Sequence, residues 1–210
     1  ALEARVPPLS AATRDVVTAS PDHVLPPASP PPAALVHLQI DWRDAPVHTA
    51  FYGRQKDLSR LRQWLMADQA ALVTITGMGG VGKTTLAIEL VEHLPPGSYD
   101  LVIWRSLVNA PPLPSLLDTW LQALADQRLD RLPEGVDEKL AMLFAERQRR
   151  RCLFVLDNLE SIMQPGTRTG QFRAGYEDYG QLIDRMGRSR HRSCLLLTTR
   201  ELPGGLRRLE

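Results

Sequence analysis

The sequence predicts an α/β fold: a mostly parallel sheet covered on both faces by helices and preceded by a Pro-rich extended segment. Three observations carry this expectation. Four short, nearly all-apolar runs (Ala71–Thr76, Leu101–Trp104, Cys152–Leu156 and Cys194–Thr199) alternate with stretches of helical period. Strands that are apolar throughout belong to a sheet with both faces covered, as parallel sheets are. The first of these runs leads into a Gly-rich turn and then a helical stripe. Proline and glycine also divide the chain, since nine of the 17 prolines lie in residues 1–50 and all 14 glycines lie after residue 50.

Taken in order, residues 1–32 hold eight prolines, and PDHVLPPASPPP reads as a polyproline-type linker. The linker, disordered or extended, is expected over residues 1–40, and DWRDAP leads onto the folded body from residue 41. Leu58, Leu61 and Leu65 repeat at i, i+3, i+7 with Trp64 beside the stripe, which predicts a short amphipathic helix. Ala71–Thr76 is rich in β-branched residues and predicts a buried strand. Leu86, Ala87, Leu90, Val91 and Leu94 form the next helical stripe, stopped by Pro95-Pro96-Gly97. After the strand Leu101–Trp104, the residues Leu113, Leu116, Leu117, Trp120, Leu121 and Leu124 repeat at helical spacing, with prolines 111, 112 and 114 at the start, where a helix tolerates them. Asp137 is a candidate N-cap for a helix running to about Arg149. CLFVLD is the third strand, Tyr176–Met186 a weaker helix, and CLLLTT the fourth strand.

Composition excludes several classes. With 25 Lys+Arg against 24 Asp+Glu the net charge is +1, so neither a strongly basic nucleic-acid binder nor an acidic solvating protein describes the whole chain. Cys152 and Cys194 cannot frame a disulfide scaffold and read as buried thiols at strand starts. The five histidines show no ligand spacing, which argues against zinc. No run approaches the roughly 18 apolar residues of a membrane span, and the start ALEARVPPLS lacks the pattern of a signal peptide. A cytoplasmic protein, without membrane partners, is expected.

Gly77-Met78-Gly79-Gly80-Val81-Gly82-Lys83-Thr84 satisfies G-x-x-x-x-G-K-[ST] in the context of a P-loop, after a strand and opening a helix. Glycines let successive N–H groups turn inward around phosphate oxygens. The following helix adds unpaired N–H groups and a partial positive charge. The phosphate-binding stretch is thus expected over Gly77, Met78, Gly79, Gly80, Val81, Gly82, Lys83, Thr84 and Thr85. In it Lys83 supplies a mobile charge to the β- and γ-phosphates, and the Thr84 hydroxyl is a ligand for Mg²⁺. Asp157, at the carboxyl end of the third strand, is the second expected Mg²⁺ ligand. The next residue is Asn158, where fast ATPases of this type place a second acid. An amide cannot accept the proton of an attacking water, so slow hydrolysis is expected, with Glu160 the nearest other acid. Arg200 ends the fourth strand and lies at the same sheet end, within reach of the γ-phosphate or leading into a surface turn.

Weaker signals leave alternatives open. The basic runs RQRRR (147–151) and RMGRSRHR (185–192) read as solvated helix ends near a favourable dipole, or as a surface for an acidic partner or nucleic acid. Interleaved aromatics for base stacking are missing there, and nucleic acid is disfavoured. Gly166, Gly170, Gly175 and Gly180, with Phe172, Tyr176 and Tyr179 between them, read as a surface insert or as a lid or oligomer contact.

The order Phe51-Tyr52-Gly53-Arg54 with Asp57, then GMGGVGKTT, LVIWRSL, LFVLDN and LLLTTR resembles the STAND nucleotide-binding switches, within them the NB-ARC branch, and most of all bacterial members that continue into WD-repeat or other repeat domains. The resemblance covers residues 41–210. It implies a three-layer P-loop NTPase of ASCE type, in which the fourth strand separates the P-loop strand from the strand of Asp157. It also implies that Phe51, Tyr52, Gly53 and Arg54 lie over adenine and ribose, that Lys83, Asp157 and Arg200 serve catalysis, and that Arg200 senses the γ-phosphate. The implied function is an ADP/ATP-binding, Mg²⁺-dependent switch with slow hydrolysis. Exchange opens it and drives homo-oligomerisation, with sensor and effector domains outside this chain. The family's fifth strand and its helical and winged-helix parts have no counterpart here, so a truncated module is expected whose P-loop strand lacks one neighbour. A small-molecule phosphotransferase and an AAA+ remodelling ATPase are the alternative classes.

Overall fold

The computed structural model describes residues 2–5, 38–47, 51–125, 131–166, 170–188 and 192–206. Among these, six strands form one sheet: β1 (Leu2–Arg5), β2 (Gln39–Asp41), β3 (Leu72–Thr76), β4 (Leu101–Ser106), β5 (Cys152–Asp157) and β6 (Cys194–Thr199). Five helices accompany them: α1 (Gln55–Met66), α2 (Lys83–Glu92), α3 (Leu113–Leu124), α4 (Val136–Arg149) and α5 (Glu177–Arg188). The strand order is β1-β3-β6-β5-β4-β2. All neighbouring pairs are parallel except β1 with β3.

Alternation along the strands divides the interior into two cores. Ile103, Phe154, Leu195 and Leu197 face α3, α4 and α5, whereas Val73, Ile75, Trp104, Val155 and Leu196 face α1 and α2. The four inner strands β3–β6 are apolar on both faces because each face has a helical layer to cover. The three-layer arrangement of the P-loop NTPase fold is the result, with β6 lying between β3 and β5.

Three differences from expectation have physical reasons. The outer edge of β3 is not bare: β1 pairs with it antiparallel, Leu2 opposite Ile75 and Arg5 opposite Leu72. β2 pairs with the far edge at β4, so the segment read as a linker supplies a strand to each border of the sheet; residues 6–37 of that linker lie outside the described residues. Asp137 does not cap α4. Gly135 occupies the cap with extended backbone, and Asp137 and Glu138 lie in the first turn, where their charge complements the helix dipole. Within the basic runs, Arg149 and Arg188 are exposed and paired with Glu146 and Asp184. Arg147 is instead buried, its guanidinium over the Phe144 ring and its Nη1 donating to Met186 Sδ. Burial and the neighbouring Arg185 charge lower its pKa to about 10. Cys152 and Cys194 are buried free thiols, and burial pushes the Cys152 thiol up to about 12.

Candidate functional site

The site is built where β3, β5 and β6 end together. Thr76 closes β3, and the Gly77 N–H donates to Thr199 O (3.3 Å), which ties the glycine turn to β6. Gly80 and Gly82 have φ of +77° and +80°, a left-handed backbone that side chains strain against. Gly82 thereby caps α2, whose first residues are Lys83, Thr84 and Thr85. This delivers the unpaired N–H groups of a helix N-terminus to the turn. Lys83 is buried beneath it, its Nζ donating to Gly77 O (2.9 Å) and Met78 O (3.1 Å). Met78 and Val81 project outward and are exposed.

Asp157 lies 2% exposed at the end of β5. Its Oδ1 accepts hydrogen bonds from Thr84 Oγ1 (2.8 Å) and from the Thr198 hydroxyl of β6, and its Oδ2 accepts from Asn158 Nδ2 (3.2 Å). Burial raises the pKa of this carboxyl, and the Glu160 charge adds to the rise; the hydroxyl bonds from Thr198 and Thr84 and the Lys83 charge oppose it. A carboxylate and a hydroxyl within hydrogen-bond reach are the hard oxygen donors that Mg²⁺ takes, completed by phosphate oxygens and water. Thr84 and Asp157 therefore fit such an ion.

Asn158 has φ +62°, a conformation that Asn tolerates better than most residues. Its N–H donates to Thr198 Oγ1 (3.0 Å), and its amide is turned onto Asp157. The chain then enters a 3₁₀ turn, Leu159–Ile162, that carries Glu160. Glu160 Oε1 accepts from Arg200 Nε at 3.1 Å. The Arg200 guanidinium lies over the glycine turn: a β-carbon on Gly79 would stand 3.3 Å from Nη2 and 3.4 Å from Cζ.

Phe51–Arg54 reaches the same place from the other side. Gly53 and Arg54 both have left-handed backbone, and Arg54 Nη1 donates to Val81 O (3.1 Å) while its Nε pairs with Asp57 (2.8 Å). Phe51 packs against the core under α1 and α2, and Tyr52 is 88% exposed. The structure thus brings together Arg54, Lys83, Thr84, Asp157 and Arg200, and leaves Tyr52 projecting into solvent. Thr198, absent from the residues expected from sequence, joins them through its hydrogen bonds to Asp157 and Asn158; its signal in the sequence is a hydroxyl residue in a strand end that faces the same crevice.

Residues 54–164 match the NB-ARC domain family. The chain belongs to this family. It is 39% identical over 181 residues to an uncharacterized WD repeat-containing protein of Nostoc sp., covering 83% of this chain and 14% of that protein. It is 30% identical over 131 residues to the regulatory protein AfsR of Streptomyces griseus (56% and 13% of the two chains). Over 63 residues it is 35% identical to a disease resistance protein of Arabidopsis thaliana (29% and 7%). The NB-ARC chain described here thus spans about one seventh or less of the length of these relatives. NB-ARC domains are nucleotide-binding modules of signalling ATPases. Among the described residues, no helix of this NB-ARC chain is long and apolar enough to cross a membrane.

Proposed function

We propose that this chain is the ADP/ATP-binding core of a regulatory switch ATPase. The observation that carries the reading is the convergence of Lys83, Thr84, Asp157 and Arg200 on one glycine turn at the carboxyl end of a parallel sheet. Lys83 would exchange its two loop carbonyls for phosphate oxygens as a point charge, and the N–H groups of the turn and of α2 would hold the remaining oxygens. Thr84 and Asp157 would hold Mg²⁺, which when bound neutralises charge on the phosphates. Phe51–Arg54 would border the base and ribose, with Arg54 fixing that segment to the turn through Val81. In the larger protein, ADP would hold a closed form and exchange for ATP would open it, with homo-oligomerisation and repeat-type sensor and effector domains completing the switch. The repeat domains are inferred from the WD-repeat relative.

Hydrolysis should be slow. The Asn158 amide cannot take a proton from water, and it already donates to Asp157. Mg-ATP turnover without an activator should fall near that of unassisted P-loop GTPases, about 10⁻⁴ to 10⁻² per second. Quenched-flow or phosphate-release kinetics on the purified chain check this, and turnover above about 1 per second would contradict it.

A further inference from the structure

Glu160 has no role in the reading above, yet it is the acid nearest the arginine that borders the glycine turn. Its carboxylate is held from one side only: Oε1 accepts from Arg200 Nε, while Oε2 is buried and has no hydrogen-bond partner among the described residues. The two partners differ in burial. Glu160 rises from a 3₁₀ turn closed by Ser161 N–H to Asn158 O (3.0 Å) and Met163 N–H to Glu160 O (3.2 Å), pinned by fully buried Leu159 and Ile162. The Glu160 side chain is 17% exposed against 64% for Arg200. A carboxylate on an anchored turn thus faces an exposed cation that lies against Gly79, on the rim of the phosphate cradle.

Charge sets the consequence. An anion reaching the rim beside Gly79 finds an arginine already paired, together with a carboxylate carried on a turn anchored by buried Leu159 and Ile162. We propose that Glu160 is a positioning residue that holds Arg200 and weights the site against the nucleotide with the additional terminal phosphate, so that ADP is favoured over ATP. This rests on the nucleotide reading of the site and names how that site discriminates. Replacing Glu160 by its uncharged isostere restores the arginine's full charge to the rim, and the more anionic ligand gains more from it. An exposed ion pair contributes up to about 1 kcal/mol, which is about fivefold in affinity.

The experiment measures dissociation constants for Mg-ADP and for Mg bound to a non-hydrolysable ATP analogue, by calorimetry on the 210-residue chain. Wild type is compared with Glu160→Gln, Arg200→Gln and the double variant, with Glu160→Ala as a second removal of the carboxylate. The expected result is a shift of the ATP-to-ADP affinity ratio of about three- to fivefold toward ATP in both Glu160 variants, and no shift from Glu160→Gln once Arg200 is Gln. A merely structural role would change both affinities together and leave the ratio alone. A ratio unmoved, or moved toward ADP, overturns the proposal while nucleotide binding stands. So does a shift that persists without Arg200, because the carboxylate would then act directly on the ligand. Wild type that binds neither nucleotide contradicts the nucleotide reading itself and removes this inference with it.

Discussion

Thr198 lies within the LLLTTR stretch, yet nothing in that stretch announces its partnership with Asp157. Its hydroxyl oxygen accepts from the Asn158 N–H and its proton goes to Asp157 Oδ1, and it is fully buried. Substitution by Val keeps the volume but leaves a buried N–H and a buried carboxylate each short of one partner. We expect Thr198→Val to lower unfolding free energy by about 1–3 kcal/mol, read from urea denaturation, and to weaken Mg-dependent nucleotide binding. Lys83, Thr84 and Asp157 were legible because spacing and strand position specify them. Thr198 was not, because the resemblance implies β6 beside β5 but not which hydroxyl at the end of β6 meets Asp157; that depends on the register of the two strands. Arg200 and Glu160 were each legible as nearby charges, while their pairing required the 3₁₀ turn that follows Asn158.

Among the elements, β4 departs most from its sequence pattern. The apolar run ends at Trp104, yet the strand continues through Arg105 to Ser106, and Arg105 is 3% exposed. A buried guanidinium is tolerated here because two other elements satisfy it. Nη2 donates to Asp41 Oδ2 of β2 at 2.7 Å, and Nε donates to Thr119 Oγ1 of α3 at 3.0 Å. Burial by itself would raise the Asp41 pKa, but the hydrogen bond and charge of Arg105, helped by Arg43, hold the carboxyl below its usual value. The sign follows directly. A folded pKa below the unfolded one contributes stability that is present above the unfolded value near 4 and is lost as pH falls through the folded value. Asp41→Asn leaves Arg105 buried beside a neutral amide and should cost about 3 kcal/mol at pH 7. Denaturation curves should show the gap from wild type narrowing below about pH 4; a gap independent of pH would contradict the pairing. The three-residue β2 was not predicted as a strand, since its stability comes from this cross-element pair and from β4 rather than from local pattern.

At the scale of the molecule, the layered architecture was legible and the borders of the sheet were not. Fully apolar strands require helices on both faces, and that inference needs no knowledge of strand order. An edge strand carries no such constraint. LEAR, with two charged residues in four, is too short and polar to announce a strand; its place is set by backbone pairing along β3 and by Leu2 packing against the core under α1 and α2. That border matters for function because β3 is the strand that delivers the glycine turn, so the sheet holding the cradle is flanked on both sides by strands from the N-terminal segment. Matched sheet ends then set β3, β5 and β6 around one crevice, and the glycine turn, the acid and the arginine come from three separate strand ends. The account's central claim is that this crevice holds an adenine nucleotide through Lys83. Its most direct test is the unfolding free energy of the chain, by chemical denaturation, with and without Mg-ADP or Mg-ATP, for wild type and Lys83→Ala. At about 100 times the dissociation constant, nucleotide should stabilise wild type by about 2.7 kcal/mol, and Lys83→Ala should lose the effect at the same concentration. Wild type unmoved by millimolar ADP and ATP, or an equal gain in Lys83→Ala, would contradict it.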